Sequence, residues 1–151
     1  MKIKKPLFWN NINLISLTLT PFSLIVFVVN FFKIFLPKKN YSIKTICVGN
    51  IYVGGTGKTS LSIEINDILK KKFKTVFIKK KYADQFDELE LLKTRGNVLS
   101  NIDRKMSLIK ADKTKKFNLA ILDDGLQDKR INYDITIACF NTNYGIGNGL
   151  L

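Results

Sequence analysis

Apolar residues are distributed along this chain in two unlike ways. From Leu14 to Phe32 they follow one another almost unbroken and without a charge. Beyond about Tyr41 they fall into short runs separated by polar, often lysine-rich, segments. "KTICVG" (Lys44 to Gly49) is a β-branched apolar run closed by glycine, which predicts a buried strand. In "TSLSIEINDILKKK", Leu61, Ile65, Ile68 and Leu69 recur at helical spacing. "KTVFIKK" then predicts a strand, "QFDELELLKT" a short helix, "GNVLS" a strand and "DRKMSLIKADKTKK" a helix. "NLAILDD" and "YDITIACF" predict the last two strands. Strands with continuous apolar runs, alternating with short helices, point to an α/β fold with a largely parallel sheet. The composition breaks near Pro37–Tyr41, dividing the chain into residues 1–40 and 41–151.

The N-terminal apolar stretch is close to the ~20 residues that a helix needs to cross a bilayer. Trp9 lies near one end, where an indole favours the membrane interface. No small-residue cleavage site precedes Lys38, so a cleaved signal peptide is disfavoured. Asn10, Asn11, Asn13, Pro21, Asn30 and Lys33 count against a clean span. The alternative is a helix lying in the interface, with lysines on anionic headgroups and Phe, Leu and Val in the acyl region. A core helix is the weaker reading, because so much Phe would need covering. Membrane attachment is expected, and spanning versus lying flat stays open.

Charge sharpens this picture. The chain has 25 Lys+Arg against 12 Asp+Glu, a formal net charge of +13. Residues 1–40 hold six lysines and no acid. Such a balance suits nucleic acid, an anionic membrane or phosphorylated ligands, or reflects the Lys, Asn and Ile bias seen throughout. The aromatics stand in apolar runs apart from the lysines, so a base-stacking platform is not supported and nucleic acid is not the expected partner. There is no histidine, which excludes histidine-dependent triads and zinc sites within this chain. Cys47 and Cys139 lie far apart in apolar runs and read as buried free thiols.

Candidate chemistry centres on "VGNIYVGGTGKTS", Val48 to Ser60. Tyr52 stands where the usual phosphate loop has its first glycine. The stretch still sits between a strand and a helix, the setting that such a loop needs. Gly54, Gly55 and Gly57 let the backbone approach a phosphate, its N–H groups assisted by the helix N-terminus. Lys58 would reach the β- and γ-phosphates and the Thr59 hydroxyl would ligate Mg²⁺. Gly54 to Ser60, with Thr56 included, form the candidate nucleotide-binding set. The bland alternative is a glycine-rich turn. "LAILDDG" places Asp123 and Asp124 at the carboxyl edge of the sheet, where one of them suits a magnesium ion and an Asp-Gly turn is the alternative. Asp87 and Glu88 open a helix, where acids are common. A kinase also needs a carboxylate to take the acceptor's proton, and spacing alone does not choose Asp87 over Asp84 or Glu90.

Taken in order, "VGNIYVGGTGKTS", "DE" before a leucine-rich helix, "DDGLQDKRINYDI" and "GIGNGLL" resemble the tetraacyldisaccharide 4′-kinase (lipid A kinase) family. That family's loop reads VGN-x-x-x-GGTGKT, which accounts for Tyr52. GGTGKT and DDG-x-Q together are the specific pieces, and the likeness covers nearly the whole chain. The resemblance implies a P-loop enzyme using ATP and Mg²⁺ at the cytoplasmic face of the bacterial inner membrane. It would phosphorylate the 4′-hydroxyl of a tetraacylated glucosamine disaccharide, with the apolar N-terminus holding it beside this lipid. Carried over by motif, Lys58 and Thr59 serve nucleotide and metal, and Asp87 is the base. Glu88, Asp123 and Asp124 are magnesium-site candidates, Asp124 also catalytic, and Gln127 belongs to the same motif.

Four departures stand out. Ser60 replaces the family's proline, "KKKYA" puts Lys80 where SRGYG has arginine, and Asp128 replaces the histidine of DDGxQH. The sequence also ends inside GNGxLLPAGPLRE. A fragment lacking the second lobe, with weak nucleotide binding and little turnover, is therefore expected. Rival readings are a membrane-anchored nucleotide-binding remnant and another P-loop ATPase. A GTPase lacks support, because Leu122 occupies the position of the aspartate in Asp-x-x-Gly and "NTNY" does not match Asn-Lys-x-Asp.

Overall fold

The computed structural model describes residues 13–32, 35, 39–50, 57–82, 86–126 and 128–140. Trp9, Tyr52, Gly54, Gly55, Thr56, Asp84, Gln127 and the "GIGNGLL" stretch lie outside the described residues. Helix α1 (Leu14–Phe32) is followed by β1 (Lys44–Asn50), α2 (Lys58–Leu69), β2 (Thr75–Lys80), α3 (Phe86–Arg95), β3 (Val98–Asn101), α4 (Arg104–Thr114), β4 (Leu119–Asp123) and β5 (Ile135–Cys139). Every strand and helix expected from the apolar pattern after residue 41 is present.

The five strands form one sheet in the order β3-β2-β4-β1-β5, and every pairing is parallel. The chain steps from β1 past the β4 position to β2 and β3, then returns to fill the gap before β5. That reversal opens a crevice beyond the carboxyl ends of β1 and β4, the usual ligand position in such sheets.

Alternation along each strand divides the core between two faces. On one face Val76, Ile78, Ala120 and Leu122 pack with Ile43, Ile131, and Leu108 and Ala111 of α4. On the other, Ile46, Val48 and Leu119 meet Leu61, Ile65 and Leu69 of α2. Phe77 and Ile121 complete that face with Leu92 of α3. Two expectations change in this packing. Ile68, predicted on the apolar side of α2, is exposed. Cys47 is fully buried but Cys139 is half-buried, because β5 is the sheet's outermost strand.

Polar clasps fix the ends of the strands. The Thr45 backbone N–H and hydroxyl both donate to Asp134 Oδ2 at 2.8 Å, and the Asp134 N–H donates back to Thr45 Oγ1 at 2.9 Å, locking β5 against β1. Lys39 joins the same edge, with its N–H on the Arg130 carbonyl and its own carbonyl accepting from Asn132. Helix α1 is different in kind. Leu24 to Val29 are all exposed, so its apolar surface runs around the helix. Its 19 residues rise about 28 Å, and no helix among the described residues is long and apolar enough to cross a membrane.

Candidate active site

Register brings the site together. β2 pairs with β4 up to Ile78↔Leu122, so Lys79 and Asp123 come next, on the face covered by α2 and α3. β1 pairs Val48 with Asp123, which places Asn50 just beyond on the same face. Along α2, Lys58 and Ser62 lie four residues apart and face these strand ends, whereas Asn66, the next in the row, bonds to Thr75 at the start of β2. Gly57 caps this helix with φ 74°, a left-handed conformation that glycine adopts without steric cost.

Lys58 Nζ donates to Asn50 Oδ1 at 2.9 Å and lies 3.4 Å from Asp124 Oδ1, with the side chains of Lys58 and Asp124 about a quarter exposed. The ammonium is held at the mouth of the crevice. Asp124 has φ 60°, uncommon for a residue with a Cβ, and its N–H donates to the Val48 carbonyl at 2.8 Å. Strain of this sort is stored where surrounding structure over-determines the backbone, and functional sites are the usual place.

Asp123 lies deeper and is fully buried. Its Oδ2 accepts from Thr59 Oγ1 at 3.4 Å and its Oδ1 from Ser62 Oγ at 3.4 Å. Lys79, whose side chain is 3% exposed, donates to Asp123 Oδ2 at 2.6 Å and to Glu88 Oε2 at 2.5 Å. Burial alone would push the Lys79 ammonium toward losing its proton. The two carboxylates outweigh that effect and hold its pKa above the ordinary lysine value. A continuous polar line therefore runs from the Thr59 hydroxyl through Asp123 and Lys79 to Glu88 in the first turn of α3.

The structure thus joins Lys58, Thr59, Asp123 and Asp124 in one crevice and ties Glu88 to it through Lys79. Asp87 is exposed in the same turn as Glu88. Ser60 is exposed on α2, and it is Ser62 that touches Asp123. Asn50, Ser62 and Lys79 were not singled out from the sequence. The i, i+4 spacing of Ser62 from Lys58 was an available signal, whereas Lys79 reads as one of three consecutive lysines on a solvated strand end.

Asp128 has a structural partner. Arg130 donates from Nε and Nη2 to Asp128 at 2.8 and 2.7 Å, and from Nη1 and Nη2 to Asp103 at 3.2 and 2.8 Å. Asp103 caps α4 by accepting from the Lys105 N–H at 3.0 Å. The guanidinium holds both carboxyls below their ordinary value.

The model of the tetraacyldisaccharide-1-P 4′-kinase family, LpxK, matches residues 15–151. The chain belongs to this family. A tetraacyldisaccharide 4′-kinase of Pelagibacter ubique is 49% identical over 99% of this chain and 48% of its own length. One from Rickettsia canadensis is 32% identical over 100% of this chain and 52% of its own. A crystal structure of LpxK from Aquifex aeolicus in complex with ATP superposes with a TM-score of 0.69 at 26% identity, covering 83% of this chain and 49% of that one. The chain therefore spans about half the length of the relatives it matches.

Proposed function

We propose that this chain is the nucleotide-binding part of a lipid A 4′-kinase. The whole enzyme would transfer the γ-phosphate of ATP to the 4′-hydroxyl of a tetraacylated glucosamine disaccharide. The carrying observation is the convergence of Lys58, Thr59 and Asp123 beyond one parallel sheet edge, at the N-terminus of α2. Family membership and the ATP complex of the Aquifex relative support the same reading.

Lys58 is aimed by Asn50 and Asp124, so its charge is in place for the β- and γ-oxygens before any rearrangement. The N–H groups at the start of α2 add the positive end of the helix dipole. The donor set also fits magnesium. Thr59 Oγ1 and Asp123 Oδ2 are hard oxygens 3.4 Å apart, and adjacent ligands of an octahedral ion with bonds of ~2.1 Å stand about 3 Å apart. Held there, with Asp124 close by, the ion would neutralise charge on the transferring phosphoryl group. Asp87 would take the acceptor's proton, since its neighbour Glu88 anchors that turn of α3 to the site through Lys79.

The acyl chains of such a substrate keep it in a bilayer. Helix α1, apolar on all sides and flanked in the sequence by lysines, would hold the enzyme at the cytoplasmic face of the inner membrane, its apolar surface in the acyl region and the lysines on anionic headgroups. An acceptor cleft built between two lobes would be half supplied by this chain, which spans about half the length of the relatives.

A thermal unfolding experiment with ATP and magnesium tests the nucleotide reading. A ligand at a hundred times its Kd stabilises by about 2.7 kcal/mol, a shift of several degrees. Protection is expected for the wild-type chain and is expected to vanish in Lys58→Ala. Equal protection of both proteins, or of neither, would sink the assignment.

A further inference from the structure

The metal-site candidates Asp123 and Glu88 already share a cation supplied by the protein. Lys79 Nζ lies 2.6 Å from Asp123 Oδ2 and 2.5 Å from Glu88 Oε2. Asp123 Oδ2 is also the oxygen facing Thr59. A divalent ion bound to that oxygen at ~2.1 Å would stand no more than about 4.7 Å from the ammonium, because the two bond lengths set the limit. At that separation Coulomb's law weakens binding of the ion by about twentyfold, even with the dielectric constant of water. Lys79 is buried between β2 and α3, so it has little room to swing away.

We propose that Lys79 is a built-in counter-cation that fills the Glu88 side of the metal site, so that Glu88 serves Lys79 while the divalent ion is left Thr59 and Asp123. Lys79 is thus a positioning residue. It holds Asp123 Oδ2, the oxygen that faces Thr59, in place, and it sets a weak affinity for the metal. It also ties the α3 turn bearing Asp87 to the phosphate-binding helix, a connection that a freely exchanging ion would make only while bound. The inference rests on the ATP and metal reading above and assigns Glu88 a partner within the chain.

The test uses manganese, followed by its EPR signal, titrated into the full 151-residue chain with and without ATP. Lys79→Met is expected to bind manganese about twentyfold more tightly than wild type, or better. Lys79→Arg keeps the charge and is expected to stay within about threefold of wild type. Unchanged or weaker binding by a folded Lys79→Met overturns the inference, and it does so even where Lys58→Ala still abolishes ATP protection. Should Lys79→Met fail to fold by circular dichroism, Glu88→Gln decides, because Glu88 is half-exposed. Manganese affinity within about threefold of wild type supports the assignment, and a larger loss shows that Glu88 is itself a ligand. A wild-type chain that ATP does not protect overturns both this inference and the nucleotide reading.

Discussion

Removing the Asp123 carboxylate exposes how much the site depends on its buried charges. Asp123 is fully buried and its partner Lys79 is 3% exposed. Asp123→Ala leaves an ammonium in the core with only Glu88 to balance it, and Glu88 is 48% exposed. Breaking a buried pair by deleting one member costs about 3–5 kcal/mol. The surviving Glu88 contact places this case near the lower end, at about 3 kcal/mol. The long contacts to Thr59 and Ser62, each 3.4 Å, add little. In urea the stability of a small domain falls by roughly 1–3 kcal/mol per molar. The midpoint should therefore drop by about 1–3 M. The double variant Asp123→Ala/Lys79→Met removes both charges and should recover about 2 kcal/mol relative to the sum of the single changes. A loss below about 1 kcal/mol in Asp123→Ala, or strict additivity in the double variant, would refute the claim that these two charges form one unit.

Two further outcomes follow from the same structure. Arg130 depresses the carboxyls of Asp103 and Asp128, so the stability they contribute is present above their unfolded value of 3.8 and is lost as pH falls through the lower folded values. Because this cluster is partly exposed, Arg130→Gln should cost only about 1 kcal/mol at neutral pH. That gap should narrow as pH falls below 3.8 and through the lower folded values, and denaturation curves showing an equal gap at neutral and strongly acid pH would contradict the assignment. In α1, Phe27 and Val28 are exposed apolar residues, and changing both to Asp should abolish co-flotation with anionic vesicles. Equal flotation of variant and wild type, or no flotation of either, would remove α1 as the membrane contact.

The secondary structure was legible because its signal is local. Apolar periodicity in "TSLSIEINDILKKK" and the compact runs "KTICVG" and "NLAILDD" need no distant partner to be recognised. Lys58 and Thr59 were legible for the same reason, since the phosphate-loop pattern is contiguous. Asp123 could be placed at a sheet edge from its strand alone. Lys79 could not. Its neighbours Lys80 and Lys81 give it the look of a solvated strand end, and only the pairing of β2 with β4 turns it inward opposite Asp123. Cys139 shows the converse, an apolar run read as buried whose strand lies at the sheet edge.

What the amino-acid order determined by itself is the succession of elements, the phosphate-loop pattern leading into α2 and the apolar character of α1. What the tertiary structure alone decided is which charges meet. Strand order inserts β4 between β1 and β2, and the two-residue period of the pleat then selects alternate side chains for the crevice. Burial does the rest, because a carboxylate withdrawn from water requires a counter-charge within contact distance, and for Asp123 the chain brings it from Lys79, 44 residues away.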